Sequence, residues 1–166
     1  MLNVDFELPQ IPRSKMEIIC EVLSIVGLIL ALVMIFSQYA VLPDVIPSHF
    51  GPNGVPDDWS SKSDIFFFAG VMVLIYIIVT ISRFFPKMIN INVTITKKNA
   101  VPVLSIIFAG LSLTKLICIW MFFYIAYGMI ETAKGNANGI GILIWVFVAA
   151  LLVTVLGIHI TSKKVT

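Results

Sequence analysis

Residues 22–42 read VLSIVGLILALVMIFSQYAVL, twenty-one positions without a charge. A helix needs about 20 apolar residues to cross the hydrocarbon core of a bilayer, so this stretch is long enough to span. Ser14 and Glu17 stand three apart just ahead of it, a capping-box pattern that predicts an earlier helix start. A cleavable signal core is shorter and is followed by a small-x-small pair, and none follows here; the run is expected to be retained.

Three more apolar runs follow. The second extends from Ile65 to about Phe85, after another capping-box pattern at Ser61 and Asp64. The third, Val101 to Ile130, is interrupted only by Lys115 and exceeds what a span requires, so its first turns are expected along the inner surface. The fourth, Ile140 to Ile160, follows the small polar turn KGNANG. The fold class expected is all-α: a polytopic membrane protein with four transmembrane helices in an antiparallel bundle, at about 15–42, 65–85, 101–130 and 140–160. The chain forms one membrane domain, residues 1–166, with connecting loops at 43–64 and 86–100. Composition agrees. At 59% apolar, 12% charged and a mean hydropathy of +1.03, the chain lacks the charges to clothe a soluble domain. Gly27 with Ala31 and Gly110 with Thr114 are small residues four apart, a spacing that permits close helix contact. Cys20 and Cys118 fall in or beside predicted helices and read as packing residues. No basic tract suits nucleic acid.

Lysine and arginine set the orientation. Arg13, Lys15, Arg83, Lys87, Lys97, Lys98, Lys163 and Lys164 share one side, against Lys62 and Lys134 on the other. The expected location is therefore the cell membrane, multi-pass, with N- and C-termini and the 86–100 loop cytoplasmic and the 43–64 loop outside.

Two segments on the cytoplasmic side alternate apolar and polar residues: LNVDFEL at 2–8 and ININVTIT at 89–96. Period-two alternation marks a half-buried strand, and a lone strand leaves its backbone unpaired. The two are expected to pair as a small β-ribbon against the helix ends, where a cytoplasmic protein is a conceivable partner. Two separate, unpaired segments are the alternative.

The 43–64 loop is the most unusual stretch. Pro43, Pro47, Pro52 and Pro56 stiffen it, and GPNG at 51–54 reads as a tight turn. Such rigidity exceeds what a connection needs, and rigid loops bearing aromatic and ionisable residues are where binding sites are built. Leu42-Pro43, Ile46-Pro47, His49-Phe50, Gly54, Pro56-Asp57, Trp59 and Lys62 resemble the signature loop of a bacterial membrane family, a domain of unknown function that includes the SdpI-type immunity proteins. INVTITKKNA, with Val93, Ile95, Thr96, Asn99 and Ala100, is similar to that family's cytoplasmic segment. Gly51 departs from the pattern, since an asparagine usually follows the His-aromatic pair, and so do Lys97 and Lys98, where acidic residues are common. The resemblance implies protection against a membrane-active peptide toxin, or sensing of one.

The candidate ligand-binding residues are His49, Phe50, Asn53, Asp57, Asp58 and Trp59. The loop carries Asp44, Asp57, Asp58 and Asp64 against Lys62, which favours a cationic ligand such as a peptide toxin. His49, Asp57 and Asp58 are also candidate metal ligands, since imidazole and carboxylate suit divalent ions. Their spacing fits no ligand motif, and backbone bonds that pin the turns are the expected role. No cofactor and no catalytic residue is expected; a metal-dependent membrane enzyme using His49 and the loop aspartates is the alternative function. A small transporter would need an acidic group deep in the bundle, and the spans offer none.

Lys115 is the one charge inside a span, and such charges need a reason. Counted from the outer helix ends, Glu21 lies about five residues deeper, or about 7.5 Å along the axis. A structural pair of Glu21 with Lys115 is the preferred reading; snorkelling to the inner surface and an ion pathway are the alternatives.

Overall fold

The computed structural model describes residues 6–89 and 93–165. Ser14 starts the first helix. Its hydroxyl accepts the Glu17 N–H at 3.2 Å while Glu17 Oε1 accepts the Ser14 N–H at 3.0 Å, so orphan donors at the helix start are satisfied from both sides. Helix α1 runs Lys15–Tyr39. It ends short of residue 42 because Pro43 disfavours helical backbone at the position before it, and the Val41 and Leu42 N–H groups both turn back to the Gln38 carbonyl.

The connection that follows contains the one sheet among the described residues. Strands β1 (Val45–Phe50) and β2 (Pro56–Ser61) pair antiparallel, with the register shifting on both sides of His49. Ser61 caps a 3-10 turn, Lys62–Asp64, its hydroxyl accepting the Ser63 N–H, and this turn leads into α2, Ile65–Ser82. A second 3-10 turn, Pro86–Met88, precedes α3 (Ala100–Ala133), and α4 spans Ile144–Lys164.

The ribbon expected between 2–8 and 89–96 falls partly on residues 1–5 and 90–92, outside the described residues. The described remainder, 6–8 and 93–96, is not in strands. Asn99 supplies what a neighbouring strand would have supplied. Its Oδ1 accepts the Thr96 N–H at 2.7 Å and its Nδ2 donates to the Thr94 carbonyl at 3.1 Å. The apolar side chains do converge: Phe6, Leu8, Ile89, Val93 and Ile95 pack with Val103, Leu104 and Ile107 of α3.

α3 is the centre of the bundle and touches α1, α2 and α4. At 34 residues and about 1.5 Å per residue it is longer than a bilayer core requires. Small residues let its neighbours approach. A Cβ at Gly27 would lie 3.1 Å from the Ile119 and Trp120 side chains, and a Cβ at Gly110 would overlap Ile158 of α4. Ala31 is fully buried with Met72 and Ile119 at mid-height.

The bundle's outside is apolar: Val33, Phe36, Phe67, Ile78, Val146 and Val153 are all exposed, and α4 buries only Ser162. Each of the four helices is long and apolar enough to cross a membrane, and apolar exposure on this scale is what lipid requires and water penalises. The chain is a multi-pass membrane protein. Because the helices alternate in direction, one end (the hairpin end) carries β1–β2 and the α3–α4 loop. The other (the basic end) gathers the eight cationic residues from Arg13 to Lys164.

Candidate functional site

The hairpin is held from three directions. At its base Lys62 Nζ sits 3.1 Å from Asp44 Oδ1 and 5.5 Å over the Tyr39 ring, and the Lys62 N–H bonds to the Asp44 carbonyl at 2.9 Å. Beneath, Ile46 is fully buried with Leu42, Ile35, Ile65, Met129 and Ile130, and Phe50 packs against the same cluster. At its tip the turn closes through Gly51 N–H to Val55 carbonyl at 2.9 Å, and Gly54 takes φ +76. The tip then clips onto the α3–α4 loop. The Ile140 N–H bonds to the Gly54 carbonyl at 2.8 Å, and Trp145 Nε1 donates to the Pro52 carbonyl at 2.9 Å. Tyr124 secures the same loop by donating to the Ile140 carbonyl. Gly54 is required here, since a Cβ would fall on the backbone of Gly141.

The proposed ligands separate once placed. His49 Nδ1 meets Asp57 Oδ1 at 2.5 Å, both side chains exposed. Asp58, the next residue on β2, instead accepts its neighbour's Trp59 N–H at 2.9 Å. The three candidate metal ligands are therefore not brought together, and no group of three or more His, Cys, Asp or Glu suited to a metal exists among the described residues. Asn53 is a turn residue, its Oδ1 accepting the Val55 N–H at 3.1 Å. Trp59 is half exposed. The Ser48 and Ser60 hydroxyls are buried, whereas His49 is on the exposed face. Phe50 and His49 share one wall of an open cavity of about 280 Å³ whose other wall is Ile140, Ile144, Trp145 and Val148.

A second polar constellation lies towards the basic end, inside the bundle. Lys115, 2% exposed, donates to Glu21 Oε2 at 2.6 Å and to Thr80 Oγ1 at 3.0 Å. Tyr76 donates to Glu21 Oε1 at 2.5 Å and presents its ring 4.6 Å from Lys115 Nζ. One turn nearer the helix start, Glu17 pairs with Arg83. Arg83 also donates to the Ile11 carbonyl at 2.8 Å and lies 4.6 Å over the Phe108 ring. Three helices are thus joined by two charge pairs at adjacent levels. Sequence reading had put Glu17 to work only as a cap and passed over Tyr76 and Thr80. Their spacing carried a signal, since residues four apart share a helix face.

The matched family stretch is narrower than the resemblance drawn above, covering the hairpin but neither charge pair nor the 93–100 segment. No curated protein and no solved structure matches the chain. Residues 26–73, from the middle of α1 through the hairpin to mid-α2, match the model of the family described as Domain of unknown function (DUF1648).

Proposed function

We propose that this membrane protein is a non-enzymatic receptor-like or immunity protein, with its hairpin outside the cell binding a cationic amphipathic ligand such as a peptide toxin. One observation carries this reading: the hairpin presents exposed Asp57, in contact with His49 of the cavity wall, and exposed Asp58 at the apolar cavity of about 280 Å³ bounded by Phe50, Ile144 and Trp145. Carboxylates attract the charged face of such a ligand, and the cavity takes an apolar side chain. The clip to the α3–α4 loop keeps both halves of the site in fixed register, which lowers the ordering cost of binding.

The test uses the full chain in nanodiscs of zwitterionic phosphatidylcholine, so that lipid charge does not attract the probe. The probe is a synthetic Lys/Leu amphipathic peptide. Binding is expected to weaken as salt rises and to weaken severalfold in Asp57→Asn/Asp58→Asn, a change that keeps hydrogen-bond acceptors in place. Equal binding by the variant would remove the hairpin from the site.

A further inference from the structure

At the basic end, beyond the last turn of α2, a cavity of about 460 Å³ opens between the N-terminal arm and the α2–α3 connection. Its volume falls within the range of about 300–1,000 Å³ typical of small-molecule sites. Ile11 of the arm, Phe84 and Phe108 give it apolar walls, and Arg13 and Arg83 give it charge. No carboxylate of the described residues lines it. Glu17 neutralises Arg83 from the inner side, through the smaller neighbouring cavity of about 20 Å³ that Arg13, Glu17, Glu21 and Lys115 share. Arg13 lines the cavity and is exposed, so the cavity keeps a cation accessible from outside.

We propose that this cavity binds the headgroup of an anionic phospholipid. Arg13 meets the phosphate directly, and Arg83, fixed by Glu17, the Ile11 carbonyl and the Phe108 ring, offers its remaining N–H groups at the rear wall. Two features favour a lipid over a soluble anion. The cavity lies where the apolar span ends, after Ser82, at the level a headgroup occupies. Its wall residue Phe84 is 68% exposed and continues the lipid-facing row of α2 that includes Ile78 and Ile81, so acyl chains leaving the site run along apolar surface. The charge selects among lipids, because a zwitterionic headgroup brings its own cation towards Arg13 and an anionic one does not.

The experiment titrates phosphatidylglycerol, phosphatidylcholine or inorganic phosphate into the full chain purified in a neutral maltoside detergent. Thermal shift and native mass spectrometry read the outcome. Phosphatidylglycerol is expected to stabilise the protein saturably, with a single lipid retained, and phosphatidylcholine is not. A cation merely near a membrane surface contributes about fivefold in affinity, from roughly 1 kcal/mol per basic residue. Arg13→Gln, at an exposed position, is expected to weaken phosphatidylglycerol binding by about tenfold or more, read against the variant's own lipid-free melting temperature. Lys97→Gln/Lys98→Gln, at the same end but outside the cavity, should stay within the surface effect. The proposal is overturned if both lipids stabilise equally, if the Lys97/Lys98 variant loses as much as Arg13→Gln, or if inorganic phosphate alone reproduces the shift.

Discussion

Lys115 reaches Glu21 across two helices, Nζ to Oε2 at 2.6 Å, with only 2% of the lysine exposed. The pair ties α1 to α3, and Thr80 and Tyr76 bring α2 into the same knot. Removing one partner leaves the other charged group desolvated and alone, which in a buried pair costs up to about 3–5 kcal/mol. Lys115→Met and Glu21→Gln should each lower the melting temperature in detergent, and the double variant should recover part of the loss. Strictly additive losses would mean the two charges are energetically independent despite their contact.

The spans were legible because an apolar run near twenty residues has few meanings. Their ends were less so, for reasons that are tertiary. α4 begins at Ile144 rather than Ile140, since Gly139 and Gly141 take φ +133 and +60 and Ile140 gives its N–H to Gly54. That contact joins residues 86 apart (140 minus 54), and no local pattern announces it. The stiffness of the 43–64 loop was readable from its prolines, but its strands were not. PDDWSS, with four of its six residues exposed and none buried, shows no apolar alternation, because β1 and not β2 packs against α3. The alternation at 93–96 was real, and Asn99 rather than a strand satisfied it.

Gly54 and Gly135 give a matched pair of tests. Both take left-handed backbone, φ +76 and +77. Forcing an L residue there costs about 1–3 kcal/mol. Around Gly135 nothing lies within 4 Å of an added Cβ, whereas at Gly54 the Cβ overlaps the Gly141 backbone. Gly54→Ala should therefore cost more than Gly135→Ala and should release the clip. Hydrogen exchange at the Ile140 amide is the direct readout: it should accelerate in Gly54→Ala alone.

A similar contrast separates helix packing from helix propensity. Alanine in place of glycine favours an exposed helix by about 0.5–1 kcal/mol. Gly70 has nothing within 4 Å of an added Cβ, so Gly70→Ala should leave the melting temperature unchanged or raise it. At Gly110 the added carbon overlaps Ile158, so Gly110→Ala should lower it by pushing α4 away from α3. Adding Ile158→Ala makes room for the new methyl group. The double variant should then be less destabilised than the sum of its single changes, and simple additivity would mean that α4 does not bear on Gly110 in the folded protein.

The last prediction concerns which way the bundle faces. The basic end holds Arg13, Lys15, Arg83, Lys87, Lys97, Lys98, Lys163 and Lys164, and the hairpin end holds Lys62 and Lys134. Short loops rich in lysine and arginine are retained on the cytoplasmic side, so the proposed orientation puts the hairpin outside. Cysteine labelling can decide it with the native thiols left in place. Cys20 is buried and Cys118 is half-buried within a span, so the unaltered protein should give a low background with a membrane-impermeant maleimide. Asn53 and Lys97 are both exposed, one at each end. Asn53→Cys should be labelled in intact cells, and Lys97→Cys only after the membrane is opened. Labelling of Lys97→Cys in intact cells would turn the molecule over. It would also put the acidic hairpin inside the cell, out of reach of any external peptide, and the proposed function would fall with it.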